Sequence, residues 1–340
     1  MKPLKNLLNN FWNNQKKWQN SIPYLLVIVF FAFAISNYGL FQKPNSSLVG
    51  LNNQTSVSSV CTGRCDFQNF FSSLFSSQLF SQPATESISS AEPNPSPFDN
   101  IQLEAKAAYV FDVLKNQPIF EFNAEAQLPL ASLTKIMTAL VAKEKLPPYL
   151  LVTITKEAIL QEGDEGFLAG EQWPVSDLID AMLVSSSNDA AFALNEEFNK
   201  DFSGDFVSLM NEKAKELNLT QTYFLNATGL DLSQNVSGGY GSAKDIAKLL
   251  LFIIKNDFSL IEATRLNSLI SHSREFKNTN QVINDIPGFI AGKTGFSDLA
   301  GGNLAIVVNK GYGRPFIIVV LGSTYSGRFN DVKTLYNLIP

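Results

Sequence analysis

Ser132 and Lys135 stand three residues apart in Ala131-Ser132-Leu133-Thr134-Lys135. On a helix that spacing puts both side chains on one side of the first turn. Leu133, Ile136, Met137, Leu140 and Val141 make a wide apolar face on the helix they open, so Lys135 is expected to be buried with it. Burial disfavours a charged amine and lowers its pKa, which fits the lysine to accept the serine proton. The helix start also offers backbone N–H groups to a developing oxyanion. The plain alternative is an N-cap serine beside a surface lysine. Against it, no other Ser-x-x-Lys occurs in the 340 residues, and this helix is too apolar for a surface one.

Two further segments carry matching chemistry. Val184-Ser185-Ser186-Ser187-Asn188-Asp189 lies between a helical stretch bearing Leu178, Ile179, Met182 and Leu183 and another from Ala190 to Phe198. A loop there can aim side chains into a cleft, with Asn188 holding a substrate amide and Ser186 relaying a proton to a leaving amine. Helix capping is the bland alternative. Gly292-Lys293-Thr294-Gly295-Phe296, followed by Gly301-Gly302-Asn303-Leu304, reads as the edge of a sheet. Glycines in such a strand let a substrate backbone pair closely. Lys293 adds positive charge and Thr294 a hydroxyl, both suited to a carboxylate. A phosphate loop would need glycine where Pro287 stands, so that motif fails.

The composition narrows the chemistry in the same direction. The chain has one histidine, His272, and two cysteines, Cys61 and Cys65. His/Cys zinc sites are thereby excluded, and any Ser-His-Asp triad would hang on His272 alone. Residues 101–340 hold 20 Lys and Arg against 27 Asp and Glu, a balance of −7 that argues against a nucleic-acid partner.

The elements that must hold these residues lie in a body from 101 to 340. Ala105–Val113 and Pro118–Phe122 read as a hairpin, as do Asn303–Val308 and Phe316–Leu321, with a helical middle and a last helix from Arg328. Strands at both ends around helices predict one antiparallel sheet whose first and last strands meet. Ahead of the body lies a basic head, 1–21, with Lys2, Lys5, Lys16 and Lys17 and no acid. An apolar run over 22–41 is long enough to span a membrane and is expected to be an uncleaved anchor, with the N-terminus inside and the body outside. A cleaved signal peptide is the rival, but Ala32-Phe33-Ala34 sits inside the apolar run rather than after it. Residues 42–100, rich in Ser, Asn, Gln and Pro, read as a tether. Within it, Cys61 and Cys65 could close a small loop or pair with another chain, and Phe67, Phe70, Phe71, Leu74, Phe75 and Leu79 fall at helical spacing.

Taken together and in this order, the three motifs resemble those of the serine penicillin-recognising enzymes. More closely they resemble the low-molecular-mass penicillin-binding proteins, the D-alanyl-D-alanine carboxypeptidase family. Similarity extends to Gly170-Glu171, Ser187-Asn188-Asp189-Ala190-Ala191, Met210-Asn211, Asn226-Ala-Thr-Gly229-Leu230-Asp231, Ser242-Ala243-Lys244-Asp245 and Asn278-Thr279-Asn280, covering about 105 to 340. The resemblance implies an α/β (α+β), β-lactamase/transpeptidase-like fold: an antiparallel sheet flanked by helices, plus a helical subdomain with the site between. It implies Ser132 as acylated nucleophile, Lys135 as base, Ser186 as relay and Asn188 as substrate holder. Lys293 would act electrostatically and, as a like charge, help keep Lys135 neutral. The N–H groups of Ser132 and Phe296 would form the oxyanion hole, with Gly295 between Thr294 and Phe296 in the substrate-binding strand. Thr294 and Arg328, in Arg328-Phe329-Asn330, would meet the substrate carboxylate. The implied activity is a serine D-Ala-D-Ala carboxypeptidase acting on peptidoglycan stem peptides, with β-lactams as inhibitors and no cofactor or metal.

The chain departs from the family pattern at Ser187, where glycine is usual, and more loosely at Phe296. It ends about a dozen residues after Arg328, so the β-rich C-terminal domain of many relatives is expected to be missing. A β-lactamase of the same fold would need Glu-x-x-Leu-Asn, but Ala214 and Ala191 occupy the glutamate position before Leu217-Asn218 and Leu194-Asn195. D,D-endopeptidase, transpeptidase and inactive sensor remain open alternatives. Serine and lysine suffice for this family's acyl transfer, so His272 is expected to be structural.

Overall fold

A computed structural model describes residues 97–340, apart from 164–165, 202–203 and 312. The basic head, the 22–41 run, both cysteines and the Phe67–Leu79 stripe lie outside the described residues. Among the described residues no helix is long and apolar enough to cross a membrane.

In chain order the elements begin with β1 (Ala107–Asp112), β2 (Gln117–Phe122), β3 (Leu128–Pro129), α1 (Thr134–Lys145), β4 (Leu151–Thr153) and β5 (Gln172–Pro174). Then come α2 (Val175–Ser185), α3 (Asn188–Asp201), α4 (Phe206–Glu216), β6 (Tyr223–Phe224), β7 (Gly239–Gly241) and α5 (Ala243–Asn256). The chain closes with β8 (Ser268–Ser271), β9 (Arg274–Lys277), β10 (Phe289–Ser297), β11 (Gly301–Asn309), β12 (Pro315–Ser323) and α6 (Gly327–Leu338).

The main sheet is antiparallel in the order β10-β11-β12-β1-β2. Both expected hairpins form, and the first and last body strands meet: β1 pairs β12 from Ala107↔Leu321 to Asp112↔Phe316. Strand β12 is buried along its whole length, so it reads as an unbroken apolar run rather than an alternating one. Ile317, Val319 and Leu321 face the helical subdomain, while Phe316, Ile318 and Val320 face α6 through Phe329, Val332 and Leu335. Each such side chain contributes about 1.5–3 kcal/mol of burial, so a sheet covered on both faces holds its edge strand in a fixed frame. The second core also takes in Phe98, stacked on Phe120 at 5.0 Å. Folded packing therefore reaches back past residue 101, into what composition alone assigned to the tether.

Helix α1 is buried at every position from Thr134 to Ala142. Strand β10 is one edge of the sheet, β2 being the other, and the 3₁₀ turn Ala131–Leu133 that precedes α1 packs against β10.

Candidate active site

Ser132 lies in that 3₁₀ turn rather than in the α-helix, which starts two residues later. Ala131, just before it, has φ +46°, a left-handed conformation costly for a residue with a Cβ. Lys135 has no solvent exposure, and its Nζ lies 2.9 Å from Ser132 Oγ, 2.6 Å from Asn188 Oδ1 and 2.6 Å from the Thr228 carbonyl oxygen. Asn188 is fixed from its other end, where Nδ2 donates to the Glu162 carbonyl at 2.5 Å.

Ser186 terminates α2 in the left-handed region, with φ +69° and ψ +25°. That turn separates α2 from α3 and presents the Ser186 hydroxyl to Lys293, whose Nζ donates to Ser186 Oγ at 2.7 Å and to the Thr294 carbonyl at 3.0 Å. Ser187, the departure from the family pattern, is buried and caps α3 by accepting from Ala190 N at 3.1 Å. The structure thus brings Ser132, Lys135 and Asn188 into one hydrogen-bonded cluster and Ser186 with Lys293 into a second.

Strand β10 closes the other side. A Cβ on Gly295 would lie 2.8 Å from the Leu130 carbonyl oxygen and 3.2 Å from Ser132 N, so only glycine lets the strand approach the nucleophile's turn this closely. That approach sets Gly295, and with it the peptide it shares with Phe296, against the turn that carries Ser132. Thr294 Oγ1 is 2.5 Å from Thr279 Oγ1, whose residue belongs to the Asn278-Thr279-Asn280 motif. Arg328 is 3% exposed, and its Nη1 donates to the Gly295 carbonyl at 2.7 Å. Burial lowers its pKa from the ordinary guanidinium value.

Several contributors have no side-chain signature in the sequence. The carbonyls of Thr228 and Glu162 serve the site through backbone atoms; the signal for Thr228 is the Asn226-Ala-Thr-Gly229 turn, in which Asn226 Oδ1 accepts from Gly229 N at 2.7 Å. Asn303 is fully buried and ties the segment before Ser132 to the sheet, with Nδ2 donating to the Pro129 and Leu130 carbonyls and Oδ1 accepting from Gly322 N. The loop carrying Glu162 ends at Glu171, whose carboxyl is held down to about 2 by a bidentate pair with Arg274. His272 stacks on Trp173 at 4.3 Å and lies 3.3 Å from an Asp177 carboxylate oxygen, partners that belong to neither cluster. A cavity of about 490 Å³ lies elsewhere, lined by Leu146, Val175, Ile179, Leu260 and Leu269 among others, and contains none of these residues.

A family model described as D-alanyl-D-alanine carboxypeptidase, of the S11 peptidases, matches residues 90–324. The chain is 31% identical over 242 residues to D-alanyl-D-alanine carboxypeptidase DacF of Bacillus subtilis, which is 68% of this chain. It spans 61% of that relative's length. A D-alanyl-D-alanine endopeptidase of Haemophilus influenzae is 32% identical over 213 residues, 61% of this chain and 70% of the relative. Among solved structures, penicillin-binding protein D2 of Listeria monocytogenes in its cefotaxime-bound form matches with a TM-score of 0.61 and 29% identity. That match covers 70% of this chain and 98% of the Listeria chain. The fold expected from the motifs is the one found, an antiparallel sheet with flanking helices and a helical subdomain, and the chain belongs to the D-alanyl-D-alanine carboxypeptidase family of low-molecular-mass penicillin-binding proteins.

Proposed function

We propose that the protein is a serine D,D-carboxypeptidase that removes the terminal D-alanine of peptidoglycan stem peptides through an acyl-enzyme on Ser132. The observation that carries this is the set of partners around Lys135. A neutral amine has two N–H groups and one lone pair. As a neutral amine Lys135 can give both N–H groups to Asn188 Oδ1 and the Thr228 carbonyl, which only accept, and turn the lone pair to the Ser132 hydroxyl. An amine with no solvent exposure has lost the hydration that favours its charged form. Ser132 Oγ then attacks the carbonyl carbon of the penultimate D-alanine as its proton passes to Lys135. The amides of Ser132 and Phe296 receive the oxyanion. As the peptide bond breaks, the proton that Lys135 took from Ser132 passes to the leaving amine through the Ser186 hydroxyl, which Lys293 orients, and Lys135 is neutral again. Water attacks the resulting ester with Lys135 again as base, releasing the shortened peptide and restoring Ser132.

β-Lactams would acylate the same serine and, without a Glu-x-x-Leu-Asn base, leave it slowly, acting as inhibitors. Four lysines before the 22–41 run support a single-pass anchor with a cytoplasmic N-terminus and an extracytoplasmic catalytic body. A second reading, D,D-endopeptidase action on cross-linked peptides, is supported by the 32% identity to a D-alanyl-D-alanine endopeptidase.

The test is to incubate the protein with labelled penicillin and with a D-Ala-D-Ala peptide. Stable labelling and D-alanine release by the wild type, both lost in Ser132→Ala, are expected. Labelling that survives Ser132→Ala would sink the proposal. Rapid penicillin turnover would make the protein a β-lactamase, and cleavage of cross-linked but not linear peptides would make it an endopeptidase.

A further inference from the structure

Arg328 does something more specific than lend charge to the site. It stands in the first turn of α6 and reaches across β11 to β10. The passage exists because Gly302, the β11 partner of Phe296, has no side chain. A Cβ there would lie 2.0 Å from the Thr324 carbonyl oxygen and 3.2 Å from Arg328 Cδ. Along the way the guanidinium carbon lies 4.5 Å from the Tyr325 ring centre, 4.7 Å from that of Phe329 and 6.0 Å from that of Phe296. The Phe296 and Tyr325 rings meet edge to face at 5.1 Å. These rings attract the cation and keep water from it. Nη1 therefore makes a charge-assisted hydrogen bond to Gly295 O in a shielded setting, where such a bond is stronger than in water.

The Gly295 carbonyl belongs to the same peptide unit as the Phe296 N–H. The described residues contain no cis peptide, and in a planar trans unit the two groups point in opposite directions. Arg328 pulls on the carbonyl from the β11 side, so the N–H faces the free edge of β10, where the oxyanion would form. A cation bonded to an amide oxygen draws electron density from the nitrogen, and hydrogen bonds in series reinforce one another.

We propose that Arg328 is a positioning residue for the oxyanion hole, fixing and polarising the Gly295–Phe296 peptide so that the Phe296 N–H is a stronger, better-aimed donor. The role rests on the Ser132 acyl transfer proposed above and differs from direct contact with a substrate carboxylate.

The test compares Arg328→Gln, Arg328→Lys and Tyr325→Ala with wild type, each checked for a native thermal transition. Acylation is measured with a D-Ala-D-lactate depsipeptide and with its C-terminal amide, which lacks the carboxylate. Removing an oxyanion donor costs about 10²–10³ in kcat; a donor weakened but retained in Arg328→Gln should cost about tenfold, equally on both substrates, with KM little changed. Arg328→Lys should recover most of the loss. The infrared carbonyl stretch of a penicillin acyl-enzyme should move to higher wavenumber in Arg328→Gln, because its carbonyl is less polarised. Loss confined to the carboxylate-bearing substrate, or an unchanged stretch, overturns the proposal. If the Arg328 variants do not fold, Tyr325→Ala carries the test: it removes the shielding ring and should give a smaller shift of the same sign, and no shift overturns the idea. A wild type that no substrate acylates removes the acyl-transfer proposal and this one together, whereas an active wild type with insensitive variants removes this one alone.

Discussion

The helical wall of the cleft holds its chemistry with side chains, and the strand wall with backbone. On the helical side Lys135 is fixed by Ser132, Asn188 and the Thr228 carbonyl, all within 2.9 Å. On the strand side the groups that would meet the substrate are amides of β10, set by pairing with β11 and by the Arg328 bond to Gly295. Truncating one side chain should therefore disable the first wall at a stroke. The second should fail in degrees, because a strand held by many bonds yields only partly when one is lost.

The largest test of that contrast is Lys135→Met. A positioned general base contributes about 10²–10⁴ in rate, and acylation by penicillin followed in a stopped-flow should fall by about 10³ while the fold persists, since methionine fills most of the same volume. A loss no greater than that of Arg328→Gln would show the walls to be equivalent. Asn303→Ala comes next, because Asn303 joins the two walls. It would leave the buried Gly322 N–H without its acceptor and take a donor from the Pro129 and Leu130 carbonyls, the latter still accepting from Leu133 N; an unsatisfied buried group costs about 1–3 kcal/mol. A stability loss of about 2–4 kcal/mol in urea unfolding is expected, with a slowed acylation because the segment before Ser132 is loosened. An unchanged midpoint would mean that the joint carries no load. The smallest effect is expected of Ser187→Gly. Glycine caps nearly as well as serine, so the stability change should be only about a few tenths of a kcal/mol, with penicillin acylation within about twofold of wild type. A larger change would make Ser187 part of the site rather than a helix cap.

Much of this architecture was legible beforehand. The two hairpins were visible because apolar strand runs stop at Lys115-Asn116 and Lys310-Gly311, and their meeting follows from sheet closure around a helical centre. The pairing of Ser132 with Lys135 was visible because three residues of separation is a local, helical distance. Less legible was the turn itself: a 3₁₀ segment entered through a strained Ala131, which no propensity favours and which the approach of Gly295 and the bonds from Asn303 impose. The left-handed Ser186 was likewise hidden, because a serine there looks like any helix cap. For Arg328 the family resemblance implies contact with a substrate carboxylate; in the structure the guanidinium also bonds a backbone carbonyl 33 positions away. Gly302 and Tyr325 make that path, and nothing in their local pattern announces it.

The sequence by itself determined which groups are available: one serine-lysine pair at helical spacing, a second serine with an amide, a lysine strand rich in glycine, and no histidine or cysteine in the body suited to replace them. Residue type and short-range spacing are local properties, and local geometry suffices to read them. Tertiary structure alone decided which acceptors surround Lys135, which amide faces the free edge of β10 and what Arg328 holds. Those outcomes depend on backbone carbonyls, identical in every residue, and on contacts between segments 93 and 173 positions apart, which only the packed sheet and helices bring together.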